Sequence, residues 1–345
     1  MPREIDEPRS FSPWTSKHAP GKILIMRKQA VGDVVITLPA CSALRQRFPG
    51  SQIDFLTADA CREIPLALRL FDHVYSMPRG NGRWTRACRA LIQGARLRGE
   101  HYDVILDLQR HRASRLIRRI ARPRAWGEFD RFSPKHALER VIDTFHRTGF
   151  AGLQPVYSLD IREDVRASSR RILKENGWDG KGRLVILNPA GLWVTRNWPL
   201  PRWIELANLW RGTEAVVFLF LGTERMTDKA RYLKENLGRR AIDLNGKTTL
   251  AQALGVVQCA SAVISEDSGL LHMAWVSGIP TVGLLGSTRS DWSRPLGDRS
   301  RFVSSEDLPC GACMEAACRF GDVHCLTRYS ADSILRLVRE VAGGS

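Results

Sequence analysis

Short apolar runs alternate with amphipathic helix-like stretches along almost the whole chain, and the alternation starts afresh once. The first series places strand candidates at 22–27, 52–57, 73–76, 103–108 and 124–128, with helical patterns at 34–47, 60–70, 83–98, 113–121 and 134–148. Runs such as Ile23-Leu24-Ile25-Met26 are apolar at every position, as strands buried on both faces are. Such strands separated by helices imply a parallel sheet covered on both sides, with every strand C-terminal end along one edge. The pattern loosens between 151 and 182, around Gly152, Pro155, a helix-like stretch over 162–176 and the turn Gly177-Trp178-Asp179-Gly180. It then resumes with strands at 184–188, 215–221, 241–244, 261–265 and 281–285, and helices at 202–210, 225–237, 250–259 and 269–276; 331–341 reads as a closing helix. The expected fold class is α/β: two doubly wound, Rossmann-like domains facing a central cleft. The expected organisation is a flexible lead-in over 1–21, an N-terminal domain over 22–160, a linker over 161–182 and a C-terminal domain over 183–345.

Two turns at the expected strand ends carry most of the chemistry. Glu266-Asp267-Ser268-Gly269 joins the run Ala262-Val263-Ile264 to a helix-like segment beginning near His272. A Ser-Gly at such a junction offers free N–H groups and the positive end of a helix dipole, which suits a phosphate or diphosphate. Asp267 and His272 add groups able to hold a ribose or a sugar; the plainer alternative for His272 is helix packing. Far upstream, Gly32-Asp33 follows the first strand and precedes a helix expected from Val34. Asp33 is either a general base for a substrate hydroxyl or a helix cap.

Further loops share the second edge. Asn188-Pro189-Ala190-Gly191 ends a strand, and Thr195-Arg196-Asn197-Trp198-Pro199 leads into a helix, with Arg196 a fixed cation for a diphosphate. Glu224 is placed to bind ribose hydroxyls or to favour the next helix's N-terminus, and Thr248 lies in the loop Asn245-Gly246-Lys247-Thr248-Thr249. No G-x-x-x-x-G-K-[ST] or G-x-G-x-x-G stretch occurs, which argues against P-loop NTPases and ordinary dinucleotide binders. In the first domain, Gln109 and Arg110 end the strand at 103–108.

The formal charge of +16 is unevenly spread: residues 76–150 hold 17 Lys and Arg against 7 Asp and Glu. That field attracts a polyanion, whether nucleic acid, an anionic membrane surface or a phosphorylated substrate. The basic region has little aromatic interleaving and no reader motif, so nucleic acid ranks low. Cys310, Cys313, Cys318 and Cys325 cluster with His324; they either ligate zinc or iron or stay as reduced thiols, and their spacing matches no standard finger. Residues 1–21 lack the apolar stretch of a secretory signal, and no run of about 18 apolar residues occurs, so a cytoplasmic location is expected.

Taken together, Gly32-Asp33 with Leu38-Pro39-Ala40, Arg196-Asn197-Trp198-Pro199, and Asp267-Ser268-Gly269-Leu270-Leu271-His272 resemble glycosyltransferase family 9, the ADP-heptose:lipopolysaccharide heptosyltransferases. Gly278-Ile279-Pro280-Thr281 and Gly286-Ser287-Thr288 extend the likeness in order. The resemblance implies a GT-B fold, an inverting transfer, no obligatory metal or cofactor, and ADP-heptose as donor. Asp33 would then be the catalytic base. The donor would be held by Asn188, Thr195, Arg196, Glu224, Thr248, Asp267, Ser268, Gly269 and His272, with Arg196 standing where the family usually has Lys. The implied acceptor is the lipid A–Kdo or heptose inner core of lipopolysaccharide, reached by a peripheral protein at the anionic cytoplasmic face of the inner membrane. Arg79, Arg83, Arg86 and Arg89 around Trp84 form a candidate anion clamp, and Gln109, Arg110, Arg112 and Arg115 a second group. Solvated helix faces are the plain alternative for these arginines. A same-fold enzyme using another nucleotide sugar or a protein acceptor is the competing reading.

Overall fold

All ten apolar runs expected as strands lie in two all-parallel sheets. The computed structural model describes residues 11–78, 82–211 and 216–343, so Arg79 and Ala215 lie outside the described residues. By their contacts the chain forms two units, Met1–Val156 and Tyr157–Ser345.

In the first unit the elements run β1 (Lys22–Met26), α1 (Val31–Arg47), β2 (Gln52–Ala58), α2 (Glu63–Leu66), β3 (Val74–Met77), α3 (Arg83–Gly99), β4 (Val104–Asp107), α4 (Arg112–Ala121), β5 (Ala125–Glu128) and α5 (Ala137–Arg147). The strand order is β3-β2-β1-β4-β5. Pairing proceeds outward from β1 on one side, then returns to its other side with β4, so the order reverses between β1 and β4. Crevices at such reversals, at strand C-terminal ends, are where sheets of this kind hold ligands. Here the reversal sets Met26 opposite Asp107. One expected helix fails: 60–70 is a 3-10 turn at Asp59–Cys61 followed by the single-turn α2. Pro65 lacks an N–H donor and biases its neighbour away from helix.

The lead-in is tied down where the structure describes it. Ser12 exchanges backbone hydrogen bonds with Trp126 on β5, and the Trp14 N–H donates to the Thr148 carbonyl at 2.9 Å. The outer edge of β5 supplies the free backbone groups that make this favourable. The flexible segment expected over 1–21 is therefore ordered from Phe11 onward.

The second unit runs α6 (Glu163–Glu175), β6 (Arg183–Asn188), α7 (Leu200–Arg211), β7 (Val216–Phe220), α8 (Thr227–Leu237), β8 (Ala241–Asp243), α9 (Leu250–Gln258), β9 (Ala262–Glu266), α10 (Gly269–Val276), β10 (Thr281–Leu284), α11 (Ser290–Ser293), β11 (Ser300–Val303), α12 (His324–Thr327) and α13 (Ala331–Ala342). Its order, β11-β10-β9-β6-β7-β8, reverses between β6 and β9, where Asn188 sits opposite Ser265. Trp198, Trp203, Trp210, Phe218 and Phe220 fill a core shared by α7, α8, α13 and the sheet. The helix expected at 162–176 forms as α6, and the structure places it within the second unit rather than in a linker. That helix packs on α9 inside the second unit, where the Ser169 hydroxyl donates to the Gln252 carbonyl at 3.1 Å. The division falls earlier, after Val156.

The close approach of α6 to α9 depends on Gly255, because a Cβ there would lie 2.2 Å from Ser169 Oγ and 2.9 Å from its Cβ. Replacing Gly255 with Leu is expected to lower the stability of the second unit by about 1–3 kcal/mol through overpacking. Urea unfolding curves would read this as a lower midpoint; an unchanged midpoint would place α6 outside the unit.

Candidate active site

The reversal in the first unit is built around a buried cation. Arg27 follows β1, and its guanidinium is buried. It donates to the Leu108 carbonyl and lies 4.6 Å above the Phe129 ring. Its Nη2 reaches Asp33 Oδ1 at 2.9 Å, while Asp33 Oδ2 accepts the Ala30 N–H at 3.0 Å. Helix α1 begins at Val31, earlier than expected, so Asp33 sits in its first turn rather than ahead of it. The carboxylate therefore caps the helix and also stays partly exposed, with lone pairs left for a hydroxyl.

Around it the turn is shaped by Asp107 and Gln109. Asp107 Oδ1 accepts the N–H groups of Gln109 and Arg110, and burial raises its pKa to about 6. The Gln109 side-chain oxygen accepts the N–H of Lys28 at 2.9 Å and of Gln29 at 3.3 Å, so it positions the β1–α1 loop. Arg110 is buried near Glu128 and Asp130, at 4.0 and 3.8 Å. Glu128 also takes Arg115 at 3.1 Å and Arg118 at 2.5 Å. The second arginine group is thus largely committed to an internal acidic partner. Arg86 differs: it is exposed with its Nε donating to the Gly82 carbonyl at 3.1 Å, and the Lys28 ammonium pKa is lowered by burial first and by the Arg86 charge second. The side chain of Arg83 lies outside the described residues.

In the second unit, Ser268 caps α10, its Oγ accepting the Leu271 N–H at 3.3 Å. Gly269 and Leu270 occupy the first turn, where N–H groups precede any acceptor within the helix. Asn188 at the end of β6 donates to Ser265 Oγ and Ser268 Oγ, both at 2.8 Å, and holds the cap from the neighbouring strand. Arg196 Nη1 pairs with Asp267 Oδ2 at 2.8 Å and its guanidinium stacks 3.9 Å from the Trp193 ring. Thr288 Oγ1 donates to the same Asp267 oxygen at 2.8 Å. The loops after β7 and β8 meet as well: Gly246 N–H donates to the Gly222 carbonyl, and a Cβ at Gly246 would lie 2.7 Å from Glu224 Cγ. Asn188 Oδ1 and Asn245 Oδ1, both buried and without a hydrogen-bond partner, flank Gly222.

Three expected donor contacts are placed differently. Thr195 is buried, its hydroxyl held by Ser287 Oγ and the Glu315 carbonyl. His272 is buried in α10, with Nδ1 accepting the Trp275 indole N–H at 3.0 Å, which is the packing alternative. Thr248 precedes Thr249, and it is Thr249 that caps α9.

Glu266 was given no role by the sequence, yet it holds the whole Arg196 loop. Its carboxylate is fully buried at the end of β9. Oε2 accepts the Gly191 N–H and Oε1 the Trp198 N–H, each at 2.6 Å. Gly191 is required there, because a Cβ would lie 2.4 Å from the Arg196 carbonyl oxygen. Lys229 secures the same loop by donating to Pro189 O at 2.8 Å and Asn197 Oδ1 at 2.5 Å. Burial raises the Glu266 pKa to about 7, against the opposing pull of Lys229 and the two N–H groups. A charge closing an apolar strand was the available signal, since buried charges need partners.

Two parallel α/β units, each with polar groups gathered at its reversal point, are the architecture of the GT-B fold. The model of glycosyltransferase family 9 (heptosyltransferase) matches residues 89–324. Lipopolysaccharide heptosyltransferase 1 of Pseudomonas aeruginosa is 27% identical, over 87% of this chain and 88% of the relative. Lipooligosaccharide heptosyltransferase 2 of Haemophilus ducreyi is 26% identical, over 82% and 88%. Among solved structures, a family 9 glycosyltransferase from Veillonella parvula superposes with a TM-score of 0.80 at 17% identity, covering 94% of this chain and 98% of that one. The E. coli heptosyltransferase WaaC with ADP gives 0.69 at 20% identity, covering 93% and 99%. The chain belongs to glycosyltransferase family 9 and is a glycosyltransferase.

A carboxyl whose pKa is raised by folding binds its proton more tightly in the folded state, so stability falls as pH rises from the ordinary value of 4.5 to about 7, and levels off above. For Glu266 the full effect is about 3 kcal/mol. Glu266→Gln should flatten this part of the pH dependence in urea unfolding between pH 5 and pH 8. Equal slopes in both proteins would mean that the carboxyl titrates normally.

Proposed function

We propose that the protein transfers heptose from ADP-heptose to the inner core of lipopolysaccharide by an inverting displacement. The observation that carries this reading is the juxtaposition, at the β6/β9 reversal, of Arg196 with the capped N-terminus of α10. A cation beside free helix N–H groups is a cradle for a diphosphate, and both act most strongly on the charge that develops as it leaves. The names of the relatives supply the sugar and the acceptor, and the ADP-bound WaaC structure supplies the nucleotide.

In this reading the acceptor hydroxyl gives its proton to the Asp33 carboxylate as its oxygen bonds to the anomeric carbon. The bond from that carbon to the diphosphate breaks, and its electron pair leaves with ADP. Arg27 keeps the carboxylate in place through the 2.9 Å ion pair. Arg196 exchanges its Asp267 partner for the diphosphate, and the stack on Trp193 keeps the fork oriented. Ser268 and Gly269 supply N–H groups and Glu224 the ribose contact. Lys28 and Arg86 suit a carboxylate- and phosphate-rich acceptor. The protein works peripherally at the cytoplasmic face of the inner membrane; among the described residues no helix is long and apolar enough to cross one.

Asp33→Asn keeps an oxygen for the Ala30 N–H and removes the base. It should lower kcat by about 10²–10⁴-fold in a protein that still unfolds cooperatively, with its melting temperature lowered by loss of the Arg27 ion pair. Arg196→Ala should raise the KM for ADP-heptose by about 10–100-fold, the worth of a charge-assisted bond, and leave the acceptor KM unchanged. ADP release assays with a delipidated, Kdo-bearing oligosaccharide measure both. Activity with a different nucleotide sugar, and none with ADP-heptose, would overturn the donor assignment.

A further inference from the structure

Helix α3 presents one face that nothing in its own unit covers. Its inner side is settled: Ala90 and Leu97 belong to the core of the first unit, and a Cβ at Gly94 would lie 2.9 Å from Ile120 Cβ on α4. The opposite side carries Trp84, Cys88, Leu91, Ile92 and Ala95, all exposed. At helical spacing these fall within a stripe about 100° wide. Trp84 is 84% exposed and Ile92 70%, and Trp84 is the most exposed large apolar side chain among the described residues. Large apolar groups in a contiguous stripe mark an interaction site, whereas single exposed ones do not.

Charge decides what covers that stripe. The sequence of α3 holds five arginines, at 83, 86, 89, 96 and 98, and no Asp or Glu. Arg98 borders the stripe on one side and Arg89 and Arg96 on the other, while Arg86 Nε donates to the Gly82 carbonyl at 3.1 Å. Arg96 lies 4.9 Å from the Tyr75 ring and Arg89 donates to the Pro78 carbonyl, which holds these two close to the body of the unit. An apolar stripe with tryptophan and isoleucine, bordered by arginine and free of acid, is the pattern of a helix lying flat in an anionic bilayer interface.

We infer that α3 docks the protein on an anionic lipid surface, with Trp84, Leu91 and Ile92 entering the headgroup region and the flanking arginines pairing with lipid phosphates. This deepens the proposed action on a lipid-borne acceptor and rests on it only for its purpose, since the helix face is there whatever the substrate.

The test uses the full chain and two vesicle preparations, phosphatidylcholine alone and phosphatidylcholine mixed with phosphatidylglycerol. Co-sedimentation should occur with the anionic vesicles only and weaken with added salt. The double variant Leu91→Ser with Ile92→Ser should bind them about tenfold or more weakly. Arg98→Gln should lose binding in low salt and match the parent in high salt. Transfer to a delipidated, water-soluble acceptor should be the same for parent and variants, which shows that the site is intact. Equal vesicle binding by parent and double variant would overturn the assignment to α3, as would absence of parent binding to the anionic vesicles. A parent dimer that the double variant converts to monomer, without lipid binding, would overturn it in favour of a second copy of the chain. Failure of all proteins to transfer to the soluble acceptor would instead count against the proposed function.

Discussion

A parallel sheet commits every strand to end on the same edge, and in both units the strand order reverses beside the first strand. Wherever the order reverses, the connections on either side run apart and leave a gap above two central strands. The chain fills each gap with the turns that follow those strands. In the first unit these are the turn carrying Asp33 and the turn after Asp107; in the second they are the Arg196 loop and the cap of α10. The polar groups gather because the backbone leaves no other place for them, and the apolar strands beneath allow little freedom.

Both gaps are then set by charge in a low-dielectric surrounding. Arg27 is buried beneath Asp33, and Glu266 is buried beneath the loop that carries Arg196. Each pairs a fixed internal charge with a more accessible one of use to chemistry. Glu266 acts through backbone N–H groups, so it dictates the path of the chain rather than the orientation of one side chain. Its cost in burial is large, and the two 2.6 Å bonds with nearby Lys229 offset only part of it, which leaves its pKa raised to about 7.

The basic surplus of the first unit divides in the same way. Arg110, Arg115 and Arg118 converge on Glu128, with Arg118 also 3.4 Å from the Trp126 ring. These arginines build the unit. Others are exposed, among them Arg98 on α3, Arg112 and Arg119 on α4, and Arg122 and Arg124 just after it. Net charge read over a long window merges these two populations, although only one of them meets solvent.

The sequence by itself determined the alternation of strands and helices, the parallel order it implies, and the turns on which Asp33, Arg196 and Ser268 stand, because each depends on periodicity or on adjacent residues. It missed β11, a four-residue edge strand with an exposed arginine, and it extended α2 through Pro65. The tertiary structure alone decided which side chains are spent internally. His272 turns to Trp275, Thr195 to Ser287 and Glu315, and Arg110 toward Glu128. Glu266 and Gly191 are 75 residues apart in sequence. Local pattern carries no information about such a pairing; burial of a charge demands a partner, and the fold chooses which one arrives.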